Sequence, residues 1–279
     1  MKVIRSQKAY ATKDGAGVRI NRIAGFDGKS LDPYLMIDEL KSDDESDYIG
    51  GFPPHPHRGI ETFTYIRKGG FEHQDQMGNK KAIRSGDVQW MSTGRGVVHS
   101  EMPLVDEDNG MHGFQIWLNM PAKEKMRPPR YKDSIDTGVP MLVNSEQVEL
   151  RALAGAWSMD SQVIEGVIQG LAGDGAIADV ILPKNAKAVL DVSKHGKVLV
   201  YIHSGQLADS AFAAGNLLEV SPSEPLKLAA AESGLGVLVL AGQPINEEIA
   251  HMGPFVMNTQ EQLREALRDY QLGNFGDIV

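Results

Sequence analysis

TYIRKGGF, residues 64–71, and VYIHSGQL, residues 200–207, share a Tyr-Ile pair and a glycine three positions later. Each is followed by a second matching piece, GDVQWMS (86–92) and GNLLEVS (215–221). Either match alone is at the level of chance. Their common order predicts two copies of one fold. The pieces themselves alternate apolar and polar residues and end at Gly, Asn or Asp, the pattern of half-buried strands bounded by turns. ETFTYIRKG (61–69), HGFQIWLN (112–119), AIADVILP (176–183), KVLVYIHSG (197–205) and GVLVLAG (236–242) extend the pattern. The expectation is an all-β chain of two antiparallel β-sandwiches or barrels.

The end of the chain departs from this pattern. NTQEQLREALRDYQLG (258–273) reads as a helix, with Thr259 and Gln262 as a capping box and Leu263, Ala266, Leu267 and Tyr270 as its apolar stripe. Gly273 can end it. No GxGxxG or Walker loop occurs, so a nucleotide-phosphate cradle is not supported.

The 279 residues suffice for two domains of ordinary size. A chain of this length buries roughly three-quarters of its unfolded surface and needs no cross-links. It has no cysteine, so any metal must be held by nitrogen and oxygen. The start, MKVIRSQKAYATKDG, has no apolar h-region, and no apolar run reaches the ~18 residues of a membrane span. These features predict a soluble cytoplasmic protein, with the nucleus as the alternative for a eukaryotic source, no membrane contact and a monomeric state. The net charge of −9 weighs against direct binding to nucleic acid. The acidic run DELKSDDESD (38–47) reads as a solvated loop, and KEKMRPPRYK (123–132) as the connection between the halves.

GFPPHPHRGIE (51–61) carries the chemistry. On a strand, residues i and i+2 face the same way about 6.7 Å apart, so His55 and His57 project together. Pro56 stiffens the spacing and suits an edge strand. At metal–nitrogen distances of about 2.1 Å both rings can reach one ion. His99 and Glu101, in TGRGVVHSE (93–101), form a second such pair after a tight turn at Gly94 and Gly96. Three imidazoles and a carboxylate suit Fe(II), Mn, Co, Ni, Cu or Zn. Glu61 is a fifth candidate, placed behind the ligands. His112 either lines the pocket or is a satisfied core histidine. His73 reads as a loop residue, and His195, His203 and His251 as structural. In the second copy the same offsets fall on Asp191, Ser193, Leu228 and Ala230, so a metal in the first copy is lost from the second.

HPHRGIET, GDVQWMSTGRGVVHSEMP, HGFQIWLNMP and GPFVMNTQEQ resemble the motifs of pirins, members of the cupin superfamily. The resemblance runs from about residue 19 to residue 273 and is general in character over 140–240. It implies a bicupin: residues 1–134 a metal-binding cupin domain, residues 135–279 a cupin domain without metal that ends in a helix. The pirin ligands fall on His55, His57, His99 and Glu101, with Fe(II) the metal usually associated with the family. In the general cupin pattern the carboxylate ligand comes from the first motif. That carboxylate, Glu61, is present here, and its exclusion rests on the pirin resemblance alone.

The activity implied is a quercetin 2,3-dioxygenase type of flavonol cleavage with O2 and release of carbon monoxide. Glu101 would be the base, and Phe63 and Tyr65 would shape the pocket wall. The alternative is a metal-sensitive regulator that binds a protein partner, a transcription factor or metabolic enzyme, without turnover.

Overall fold

Alternation along residues 60–68 becomes a strand with two distinct faces, and the same period organises most of the chain. The computed structural model describes residues 1–26, 29–104 and 110–278. Its first strands are β1 (Val3–Lys8), β2 (Tyr10–Asp14), β3 (Val18–Ala24), β4 (Tyr34–Ser42), β5 (Phe52–His57) and β6 (Ile60–Lys68). They continue with β7 (Gly70–Asp75), β8 (Lys80–Arg84), β9 (Val88–Ser92), β10 (Val97–Pro103), β11 (Met111–Asn119) and β12 (Arg130–Asp133). A seven-stranded sheet runs β12-β9-β6-β11-β4-β3-β2, and a four-stranded sheet runs β5-β10-β7-β8. Val18, Ile20, Leu40, Ile66, Phe71 and Ile83 form a buried cluster in this part of the chain.

The second half repeats the plan. Its sheet path runs β1, Asn216–Val220, Lys197–Leu207, Leu226–Gly242, Ala176–Leu182, Glu149–Ala154 and Met141–Val143. The sequence repeat is also a repeat of register. Tyr65 lies opposite Val88 in the first copy, and Tyr201 lies opposite Leu217 in the second. The interior of the second copy is aliphatic: Leu150, Val180, Leu182, Val198, Val200 and Val237 are fully or almost fully buried there. Leu228 and Ala230, two of the positions that the offsets match to the first-copy His and Glu, lie within this core.

The chain divides into two compact units, Met1–Tyr10 with Thr137–Pro244, and Ala11–Asp136 with Ile245–Val279. The contiguous division at 134/135 differs from this partition at both ends. Strand β1 adds to the second-copy sheet beside Asn216–Val220. The C-terminal segment belongs with the first copy, through helix α1 (Gln260–Gln271) and the hairpin Ala250–Met252/Phe255–Met257. Both capping-box hydrogen bonds of Thr259 and Gln262 are made. Leu263 and Ala266 are buried, whereas Leu267 and Tyr270 are 39% and 38% exposed, so the inward face is narrower than the expected stripe.

Two expectations about loops are corrected. Residues 38–40 of the acidic run are the middle of β4, and Asp38 and Glu39 are both buried because Arg22 and His112 meet them. The proline-rich connection is likewise built into the unit Ala11–Asp136 with Ile245–Val279. Strand β12 pairs with β9, and Lys125 is buried with its ammonium donating to Gly59 O, Asn119 Oδ1 and Val256 O at 2.7, 2.7 and 2.9 Å.

Candidate metal centre

Strands β5 and β10 are antiparallel neighbours, with His99 directly opposite His55 and Val97 opposite His57. The register shifts between His99 and Glu101, so the second pair is delivered across a bulge. Gly94 and Gly96, before β10, have φ of 48° and 148°. A Cβ on Gly96 would lie 2.8 Å from the Phe275 ring, so only glycine lets the tail close over this turn. The rings of His55, His57 and His99 converge, with centroid separations of 4.8, 4.4 and 5.1 Å. Their ligand atoms all lie within 4.8 Å of one another. A second group meeting the same limit is His73, His99 and Glu101, so His99 is common to both.

Hydrogen bonds choose between the two groups. Nδ1 of His55 donates to Pro53 O at 2.8 Å, and Nδ1 of His57 donates to Pro254 O at 3.3 Å. Each bond leaves the Nε2 lone pair available, as second-shell carbonyls do for metal-binding imidazoles. His99 is fully buried, and neither ring nitrogen has a hydrogen-bond partner among the described residues. An unmet buried nitrogen costs about 1–3 kcal/mol, which a metal ion between the three rings would offset. His73 differs: Nε2 is held by Asp75 at 2.9 Å and Nδ1 by Gln89 at 3.0 Å, so both nitrogens are engaged. The imidazoles with a ring nitrogen left for a divalent ion are therefore His55, His57 and His99, and Glu101 shares His99 with the second group.

Burial, and then the repulsion of His55, holds the His57 imidazole well below the usual histidine range. Burial does the same for His99, with His55 and His57 the next causes. Neutral imidazoles are the form that a metal requires. Thr64 Oγ1 lies 3.0 Å from Glu101 Oε1 and 2.7 Å from Gln115 Oε1, which fixes the carboxylate's orientation.

The remaining candidates separate cleanly. Glu61 is fully buried, but Arg127 binds it at 3.1 Å, and it belongs to neither ligand group. His112 is a satisfied core histidine, 3.0 Å from Glu39 and 3.3 Å from Arg67. His73 is not in a loop but buried on β7, and Asp75 accepts its Nε2–H. Burial pushes the Asp75 carboxyl up, and bonds from His73 and Asn79 outweigh this and hold it below the usual range. His203 pairs with Asp179 in the unit Met1–Tyr10 with Thr137–Pro244, at 2.9 Å.

His55, His57 and Glu101 open on a cavity of about 570 Å³. Its walls include Phe26, Met36, Trp117 and His251. Trp117 meets His57 edge-on at 4.9 Å and Phe26 at 5.8 Å, and His251 stacks on Phe26 at 3.6 Å. Phe63 and Tyr65 are not part of this wall. Thr64, between them, faces Glu101, so strand alternation sends both aromatics to the opposite face of the sheet, where Tyr65 stacks with Phe114. The wall residues were present in the sequence as a period of two. Ile20 and Arg22, Met36, Asp38 and Leu40, and Gln115 and Trp117 line the cavity from three strands. The tail's contribution, His251 and Pro254, has no local signal.

Residues 17–118 match the pirin domain, and residues 177–276 match the pirin C-terminal cupin domain. A Vibrio cholerae protein provisionally named a quercetin 2,3-dioxygenase is 44% identical over 273 residues, covering 96% of this chain and 95% of that one. The chain belongs to the pirin family. Pirin structures share its architecture of two cupin domains. The crystal structure of a quercetin 2,3-dioxygenase from Acinetobacter baumannii superposes with a TM-score of 0.87 at 30% identity, covering 100% of this chain and 99% of that one. A bacterial pirin from Escherichia coli, solved in complex with nickel(II), superposes at 0.60 with 20% identity over 86% of this chain and 99% of its own, a likeness of fold.

Proposed function

We propose that this pirin is a metal-dependent dioxygenase that cleaves flavonols such as quercetin. One observation carries the reading: three imidazoles converge, and two of them, His55 and His57, open with the Glu101 carboxylate on an aromatic-walled cavity of a size that holds a flavonol. The names of the Vibrio and Acinetobacter relatives support it. His55, His57, His99 and Glu101 would hold a divalent transition metal, and Fe(II) is the ion that the family resemblance implies. Such an ion supplies a Lewis acid toward the substrate's oxygens and redox chemistry toward O2.

The chain's own groups do the rest. The Glu101 carboxylate reaches the cavity and takes the proton of the flavonol 3-hydroxyl as general base, oriented by Thr64 Oγ1. Trp117 and Phe26 hold the planar rings and keep water from them. Carbon monoxide release from quercetin under oxygen tests the reading. Fe(II)-loaded protein is compared with Mn, Co, Ni and Cu forms and with His57→Ala. Release by the wild type and none by the variant is the expected result. No release with any metal, from protein shown to bind one ion, overturns it in favour of a regulator that acts through a protein partner.

A further inference from the structure

The cavity has one ionic feature that metal binding does not use. Arg22 on β3 and Asp38 on β4 stand in the wall built by the seven-stranded sheet, whereas His55, His57 and Glu101 come from the four-stranded sheet. Arg22 grips Asp38 with two parallel bonds, Nε to Oδ1 and Nη2 to Oδ2, both 2.9 Å, and its Nη2 also reaches Asp14 at 3.0 Å. Asp38 is 3% exposed, and on its own strand it is flanked within the cavity by Met36 and Leu40. The Asp38 side chain is 4% exposed and that of Arg22 22%, and an ion pair with a buried partner among apolar neighbours is seldom kept for stability, since apolar residues of the same volume do as well or better.

The chemistry of the pair specifies what it can read. Each Asp38 oxygen accepts one bond from Arg22, and a carboxylate has about four acceptor positions, so two remain. Arg22 Nη1 has no protein partner among the described residues and keeps both its N–H groups. A free acceptor beside a free donor matches a hydroxyl, which both donates and accepts. One guanidinium against the carboxylates of Asp38 and Asp14 leaves a net negative charge, which disfavours a carboxylate or sulfate there.

We propose that Asp38, aligned by Arg22, reads hydroxyl groups on the part of the substrate remote from the metal ligands, so that the pocket selects polyhydroxylated planar aromatics over bare ones. This rests on the flavonol reading above and adds a specificity-determining pair to it.

The test is calorimetric titration of Fe(II)-loaded protein with oxygen excluded, so that binding is read without turnover. The two probes are quercetin and 3-hydroxyflavone, which keeps the metal-binding 3-hydroxy-4-keto group and lacks every other hydroxyl. Hydrogen bonds to a charged group predict that quercetin binds the wild type about tenfold more tightly or better. Asp38→Asn is expected to bring quercetin down toward 3-hydroxyflavone and close that gap. If the single variant leaves Arg22 unpaired and fails to fold, the double variant Arg22→Met/Asp38→Leu, with apolar groups of similar volume, gives the same reading. A gap that survives in a folded variant, or no gap in the wild type, overturns the proposal and leaves the flavonol reading standing. Failure of both probes to bind the wild type overturns the two together.

Discussion

At the scale of single residues, the arrangement turns on which histidine nitrogens are spoken for. His55 and His57 each lose Nδ1 to a carbonyl and offer Nε2, His73 has both nitrogens engaged, and among the described residues His99 has neither. The i, i+2 spacing made the two candidate pairs legible, because a strand puts alternate side chains on one face. It left His73 to a loop, whereas the residue is on β7, and the partners that occupy it, Asp75 and Gln89, are identified by packing and not by spacing. Glu101 reaches the cavity as His55 and His57 do, and Thr64 holds one of its oxygens. Glu101→Gln keeps the shape and a ligand oxygen and removes the base. Turnover is expected to fall by about 10²–10⁴ with metal content, read by elemental analysis, falling far less. Equal losses of both would reduce Glu101 to a ligand.

At the scale of elements, the metal strands are held from behind by cations that the sequence presented as a polar connection and a motif arginine. Arg58, next to His57, donates to Arg95 O at 2.6 Å and to Asp269 of α1 at 2.8 Å, and lies 4.6 Å from the centre of the Phe275 ring. Arg58→Lys keeps the charge and loses the planar fork. The amides of α1 are expected to exchange faster with solvent in this variant; unchanged protection would show that the helix is held by Leu263 and Ala266 alone. Lys125 ties the turn at Gly59 to Asn119 and Val256. A Cβ on Gly59 would come within 2.1 Å of Val256 O, so turn and tail touch directly as well. Burial pushes the Lys125 ammonium down to about 7. The unfolded chain then binds more protons than the folded one from about pH 7 to the ordinary lysine value of 10.5, so this group makes stability rise with pH across that window. Lys125→Met strands three acceptors and is expected to cost about 3 kcal/mol at pH 7, and to flatten the rise between pH 7 and 9 in denaturant titrations. A variant with the wild-type slope would remove Lys125 as its source.

At the scale of the whole molecule, the duplication could be read from the sequence because strand register follows local alternation, and Tyr65 and Tyr201 occupy equivalent rungs. The exchange of chain ends could not. The pairing of β1 with Asn216–Val220, and of the tail with the first copy, depends on contacts between residues some two hundred positions apart, which leave no periodic trace. The duplication nevertheless sets up its own test. Both groups able to hold a metal, among the described residues, lie in the unit Ala11–Asp136 with Ile245–Val279. The core of the other copy is mainly Val, Leu, Ile and Ala, with Leu228 and Ala230 in it, and its buried His203 is paired with Asp179. An aliphatic interior offers a cation no donor, and desolvating an ion there is prohibitive. Anaerobic titration with Fe(II) is therefore expected to saturate at one ion per chain. Replacing His57 by Ala removes an imidazole that faces that ion, a loss expected to exceed the 10–100-fold (about 1–3 kcal/mol) typical of second-shell changes. A second equivalent of comparable affinity, retained in His57→Ala, would place a metal in a copy whose buried His203 and Asp179 bind each other, and would overturn the division of labour between the two barrels.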